Sequence, residues 1–312
     1  MNRRAVLISA VGLGAAGCVS SSTKENEEPT ATPETTATPT DDEVRVTSSQ
    51  FGGEPCPRFY KSETTCYHEL PPGEPDAPVL IPLNERATDD PPSFLLANKS
   101  SRTYFTRYAD REVMKWTPDG WKRVDPLEVV VGYDSETHII SGAVFETEPK
   151  TAPLGQGRYA FYIGGRFEDS GGLALVALFE MATEPLQLEP DDIVTEKRDG
   201  DHVYLETGKG RDDDDNVRVT FETGADPDTT GLLAAETAFQ TPTLRNAIPY
   251  LRQSGVTSVE ILTHDQALSI LDVALSLPHE SPPFHNGESP PPKYPTEYRD
   301  ITFTADVPAQ KY

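Results

Sequence analysis

The chain has 312 residues, of which 51 are Asp or Glu and 27 are Lys or Arg, so its formal charge is −24 at neutral pH. Nucleic acid and anionic lipid surfaces are excluded as natural partners by that surplus, because their phosphates would be repelled. Wholesale disorder is excluded as well: Leu, Val, Ile, Phe and Tyr are spread through the chain beyond residue 79, enough for a folded protein with a carboxylate-rich coat.

In chain order the first segment is Met1–Cys18, MNRRAVLISAVGLGAAGC. Its apolar run, Ala5 to Gly17, is thirteen residues long, against the roughly 20 that a membrane-spanning helix needs. With Arg3 and Arg4 as a pair, Val6 and Leu7 behind them, and small residues leading to Cys18, the segment resembles a twin-arginine (Tat) lipoprotein signal ending in a lipobox. Ala15 stands where that family usually has Leu. The resemblance implies export, cleavage before Cys18 and lipid on Cys18, which would hold the chain at the extracellular face of the membrane. A signal that is retained, or cleaved elsewhere, is the alternative. Cleavage removes Arg3 and Arg4 and makes the mature chain more acidic still. The acidic surplus, and 10 lysines against 17 arginines, resemble secreted proteins of halophilic archaea. At molar salt the Debye length is about 3 Å, which screens the self-repulsion of such a coat.

Residues 19–48 are Ser, Thr, Pro and Glu almost throughout, with repeats such as ATPETTATPT. Such a composition cannot offset its ordering entropy and predicts a disordered stalk, open to O-glycosylation on Thr30 to Thr40. At about 3.1 Å per residue it would hold the body up to ~90 Å from the membrane. Residues 49–77 follow as a segment with little apolar periodicity, CPRFYKSETTC at its centre. With Cys18 lipidated, Cys56 and Cys66 remain as a pair. A structural disulfide is favoured over redox chemistry, because a CxxC spacing is absent.

From 78 to 184 the pattern is one of short β-runs between turn residues: SFLLAN, EVMKWT, LEVVVG, THIISGAVF, GRYAFYI and LALVALF. Asp119-Gly120 between Trp116 and Trp121 predicts a hairpin. Met114 and Trp116 share one face, and Tyr159, Phe161 and Ile163 share the inward face of a sandwich. The stretch LGQGRYAFYI resembles the approach to a late strand of an immunoglobulin-like sandwich, where a Tyr after a Gly-rich corner bonds back to the backbone. Residues 185–312 read as a smaller α+β domain. HVYLET and NVRVTFET are expected to form a hairpin around the acidic tip GKGRDDDDN. Thr241-Pro242 caps a helix carrying Leu244, Ile248 and Leu251, which Pro249 should kink or divide and Gly255 close. VTSVEILT and EYRDITFTADV are further strands, the last preceded by a Pro-rich loop, SPPFHNGESPPPKYP. The fold class is therefore mainly β: a stalk, an immunoglobulin-like sandwich and a small α+β domain.

Candidate chemistry is thin. Glu168-Asp169-Ser170-Gly171-Gly172 is similar to the GDSGG of trypsin-like proteases, but neither His68 nor His138 has the context of a catalytic base, and a turn explains the same residues. Asp212, Asp214 and Asn216 match the start of an EF-hand loop, yet Val217 and Thr223 occupy its two demanding positions. The histidines His68, His138, His202, His264, His279 and His285 form no HxxxH or HExxH pair, and no Cys follows Cys66 to bind copper. Asn98-Lys99-Ser100 is an N-x-S sequon, and Asn98 equally suits a strand end entering a turn. Arg245, Asn246 and Arg252 are expected to make salt bridges with local carboxylates. No catalytic residue, cofactor or metal is assigned. The chain is expected to be a non-enzymatic cell-surface lipoprotein that presents a binding or structural module, with an envelope or secreted protein as partner. The alternatives are an accessory factor binding a secreted protein, such as a peptidase inhibitor, and a hydrolase with an unrecognised site.

Overall fold

The computed structural model describes residues 44–58, 62–124, 136–149, 153–168, 171–208, 216–226, 231–264, 266–276 and 293–307. The signal with Arg3, Arg4 and Cys18 lies outside the described residues. So do most of the stalk, LEVVVG, Asp169-Ser170, Asp212–Asp215, His279, His285 and most of the Pro-rich loop.

The fold is mainly β. Among the described residues ten strands build the N-terminal part: β1 (Glu63–Cys66), β2 (Pro78–Pro82), β3 (Arg86–Ala87), β4 (Phe94–Asn98), β5 (Tyr104–Thr117), β6 (Gly120–Arg123), β7 (Thr137–Ile139), β8 (Val144–Thr147), β9 (Gly157–Phe167) and β10 (Gly172–Met181). They form one sheet in the order β2-β4-β8 and a second in the order β1-β10-β9-β5-β6, with β3 on β10 and β7 on β5. This is an immunoglobulin-like order, with A, B and E in the first sheet and G, F, C and C′ in the second. Alternation along β9 and β10 explains the layering. Tyr159, Phe161 and Ile163, with Leu175, Ala177 and Phe179, face the inner core, where the Phe94 ring lies 5.0 Å from Phe161 and 5.7 Å from Phe179. Ala160, Tyr162, Ala174, Val176 and Leu178 face outward and are covered by Phe51 and Cys66.

Residues 49–77 are therefore part of the sandwich and not a separate unit. Cys56 and Cys66 are joined, S–S 1.95 Å, and their bond ties the segment that covers this outer face to strand β1. Closing so short a loop contributes roughly 2–3 kcal/mol by the chain-entropy model. The Trp116–Trp121 hairpin forms as expected, β5 pairing with β6 and Gly120 at φ 101°. THIISGAVF, read as one run, is two strands in different sheets: β7 pairs with β5 and β8 with β4. The turn Ile140–Gly142, with Gly142 at φ 79°, carries the chain across.

The C-terminal part holds β11 (Ile193–Asp199), β12 (His202–Thr207), β13 (Asn216–Thr223), β14 (Gly231–Leu232), α1 (Ala235–Gln240), α2 (Pro242–Leu251), β15 (Ser258–His264), α3 (Gln266–Ser276), β16 (Lys293–Tyr298) and β17 (Ile301–Asp306). One sheet runs β11-β12-β15-β13-β17-β16-β14. The expected β12–β13 hairpin is not formed. The apolar strand β15 takes the central place between them, parallel to β12 and antiparallel to β13. Val203, Leu205, Val219, Phe221, Val259, Ile261, Phe303 and Ala305 bury one face in a core shared with Leu244, Ile248, Leu251, Leu268 and Leu271 of the helices.

Among the described residues three α-helices replace the one expected. In α2, Pro242 is at N1 as read, but Pro249 does not divide it. Pro249 is half-exposed, where the carbonyl it leaves unbonded can meet water, and packing on the sheet holds the turn that follows. EYRDITFTADV is a hairpin of β16 and β17, turning at Arg299 (φ 54°) and Asp300.

Candidate functional site

Two features bring polar side chains together: a pair of grooves at one end of the sandwich, and a buried carboxylate where the sandwich meets the C-terminal sheet.

The smaller groove lies at a local mismatch between β5 and β9. Their register runs Thr106↔Gly165 and then Arg111↔Ile163, so residues 107–110 bulge from β5 opposite Gly164. Glycine is needed at 165: a Cβ there would sit 2.3 Å from the Tyr104 ring and 2.4 Å from Phe105 O. Tyr104 is fully buried and donates to Leu173 O at 3.0 Å. Beside the bulge lies a groove of about 350 Å³, lined by Arg107, Asp110, Glu136, Tyr162 and Arg166 among others. Burial, reinforced by Glu112 and Asp110, pushes the Tyr162 phenol up to about 12. Arg166 pairs with Glu136 at 2.8 Å and lies 5.1 Å over the Phe105 ring. The adjoining groove, about 590 Å³, opens at the seam between the two sheets. Glu63 and Thr65 of β1, Ala77, Pro78 and Leu173, and Arg102 with Phe167 line it.

Arg102 is held by the residue read as a glycosylation acceptor. Asn98 is fully buried, and its Nδ2 donates to Arg102 O and to Ile139 O, each at 2.7 Å. Its Oδ1 accepts from Ser100 Oγ at 2.7 Å. Both amide protons are taken, so in the folded chain Asn98 is a turn-former and presents no amide to a glycan. The reading of Asn98 as a candidate glycosylation site is corrected accordingly.

At the junction, Glu236 of α1 is fully buried. Its Oε1 accepts from Lys115 Nζ at 2.7 Å and from Gly155 N at 3.2 Å, and lies 2.7 Å from the Tyr159 hydroxyl. That hydroxyl is also 2.7 Å from Gly155 O, which is the back-bonding tyrosine expected near the start of this strand. Burial and the Glu236 carboxylate push the Tyr159 phenol far above its ordinary range. Glu236 Oε2 and Tyr298 Oη are both buried with no partner among the described residues. Gln240 Nε2 adds a bond to Val124 O at 2.7 Å, and Ala234 enters the sandwich core. The cluster is a structural joint, buried and charge-paired.

The remaining sequence-predicted residues fall apart in space. Glu168 and Gly171-Gly172 flank the β9–β10 turn. His68 is buried with Nε2 3.0 Å from Glu54 O, His138 sits beside Glu136, and His202 beside Asp201. No group of three metal-binding side chains occurs among the described residues. Arg245 and Arg252 pair with Asp191 (2.6 Å) and Asp300 (3.0 Å), and Asn246 Oδ1 accepts from Asp191 N, as expected. The Asp300 carboxyl is held below its ordinary range, chiefly by its hydrogen bond from Arg252. Arg102 and Glu236 were not foreseen. The Asn98-x-Ser100-x-Arg102 turn was the one local signal for the former, while the latter had none. The chain matches no protein-family model, and a comparison with curated proteins found no match.

Proposed function

We propose that the protein is a lipid-anchored, non-enzymatic display module that presents a binding or structural surface outside the membrane of a halophilic cell. The observation that carries this reading is the Cys56–Cys66 bond, placed where it pins the cover of the sandwich's outer face. Such bonds persist in oxidising, external compartments. The Met1–Cys18 pattern, the Thr/Pro stalk and the acidic coat agree with that location. No helix among the described residues is long and apolar enough to cross a membrane; attachment in this reading rests on lipid at Cys18. Replacing Cys18 with Ser should move the mature protein from membranes to the medium, and continued membrane retention would refute the anchoring.

A second reading, an accessory factor that binds a secreted protein, is favoured by the groove beside Arg102, which has the size of a ligand site. Cross-linking on intact cells in molar salt, followed by mass spectrometry, separates the two. One abundant secreted partner favours the accessory factor, and envelope protein favours the structural role.

A further inference from the structure

We propose that the Cys56–Cys66 bond is a redox-sensitive latch: reduction by an external thiol frees the strap 49–58 and loosens β1, while both cores stay folded. The strap is anchored at both ends. Upstream, Val46 exchanges backbone hydrogen bonds with Gly73, at 2.9 and 3.0 Å, and is buried in the inner sandwich core. Downstream, the bond fastens Cys56 to Cys66 at the end of β1. Between these anchors Phe51 is buried and closes over Ala160, Tyr162, Val176 and Leu178. This cluster shares no member with the inner core around Phe94, Phe161 and Phe179, nor with the core beneath α2. Lifting the strap therefore uncovers one sheet face without emptying either core, which is the condition for a local opening.

The other ties on the strap are polar. Glu85 accepts from Gln50 N at 2.7 Å and from Ser49 Oγ. Arg158 pairs with Glu54 at 3.1 Å, the two side chains being 37% and 42% exposed. His68 Nε2 lies 3.0 Å from Glu54 O, and Glu69 Oε1 accepts from Cys56 N at 3.1 Å. Exposed ion pairs contribute little, and less in molar salt, so the covalent bond is what holds the downstream end. β1 depends on it too. It is four residues long and, among the described residues, its ladder is with β10 alone. Glu63 and Thr65 line the larger groove and Ser62, just before β1, lines both, so the latch also steadies their wall. Cys56 is half-buried and Cys66 is buried, so an external thiolate attacks the Cys56 sulfur. The S–S bond breaks, a mixed disulfide forms on Cys56, and the Cys66 sulfur leaves as a thiolate that takes up a proton. A second thiol releases Cys56, so two thiols are oxidised to one disulfide and both cysteines end as thiols.

The test is hydrogen exchange read by mass spectrometry on the purified chain in molar KCl, with and without dithiothreitol. Reduction should add two alkylatable thiols and speed exchange in 49–58 and 62–66 at least tenfold. Peptides from β4, β15 and β17 should be unchanged. The double variant Cys56→Ser, Cys66→Ala should show the same pattern without reductant, and its thermal melt reports that the cores persist. Four outcomes would each overturn the proposal: no new thiols in the native chain, unchanged exchange at 49–58, an equal rise in β4 or β15, or a double variant that exchanges like the oxidised parent. The measurement needs neither membrane nor partner, so it is decided separately from the Cys18 experiment.

Discussion

Removing the Glu236 carboxylate should loosen the joint between the sandwich and the C-terminal sheet. Oε1 accepts from the Lys115 ammonium and the Gly155 N–H and lies 2.7 Å from the Tyr159 hydroxyl, and the Lys115 side chain is only 16% exposed. Breaking one side of a buried charge pair costs about 3–5 kcal/mol, because the remaining charge stays buried without compensation. Partial access of Lys115 to water places Glu236→Ala near the lower end, about 3 kcal/mol. For a folded unit of this size each kcal/mol shifts the melting point by roughly 2–4 °C, so a drop of about 10 °C is expected by circular dichroism in molar KCl. Glu236→Gln keeps an acceptor for Tyr159 and Gly155 and loses only the charge, so its loss should be about half as large. The pair Lys115→Met with Glu236→Leu removes both charges together and should lie within about 1 kcal/mol of the parent. A melting point for Glu236→Ala within 2 °C of the parent, or a double variant as unstable as the two single losses combined, would refute the joint.

Alkali should unfold the protein cooperatively. Tyr162 and Tyr250 are pushed up to about 12 by burial first and by neighbouring carboxylates second, and Tyr104 and Tyr159 lie higher still. Since these folded-state values exceed the unfolded value of 10, their stabilisation is complete below pH 10 and is lost as pH rises from 10 through 12. Each group removes up to about 1.4 kcal/mol per pH unit. Tyrosinate absorbance and circular dichroism should therefore change together, and gradual titration of every tyrosine with the fold intact would contradict this. Lowering salt from molar to 0.1 M lengthens the Debye length from about 3 to about 10 Å and should cost the acidic body its structure. An unchanged circular dichroism spectrum over that range would sink the claim that the coat depends on brine.

Composition and periodicity by themselves determined much of the sandwich. Strands such as GRYAFYI and LALVALF are short apolar runs bounded by turn residues, and the Asp119-Gly120 turn and the corner tyrosine Tyr159 act through neighbours a few residues away, so their geometry is local. The Cys56–Cys66 pairing was likewise a matter of which cysteines remained. What only the tertiary structure decided depends on distant segments. The place of β15 between β12 and β13 follows from its apolar side chains needing the centre of a sheet, which no turn signal encodes. Asn98 reads as an acceptor in sequence and is a buried brace in space, because its partners include Ile139, forty-one residues away. Glu236 looks like one more surface acid among 51. It becomes a buried joint because Lys115 and Tyr159, on two strands of another sheet, meet it where water is excluded and a carboxylate must be paired.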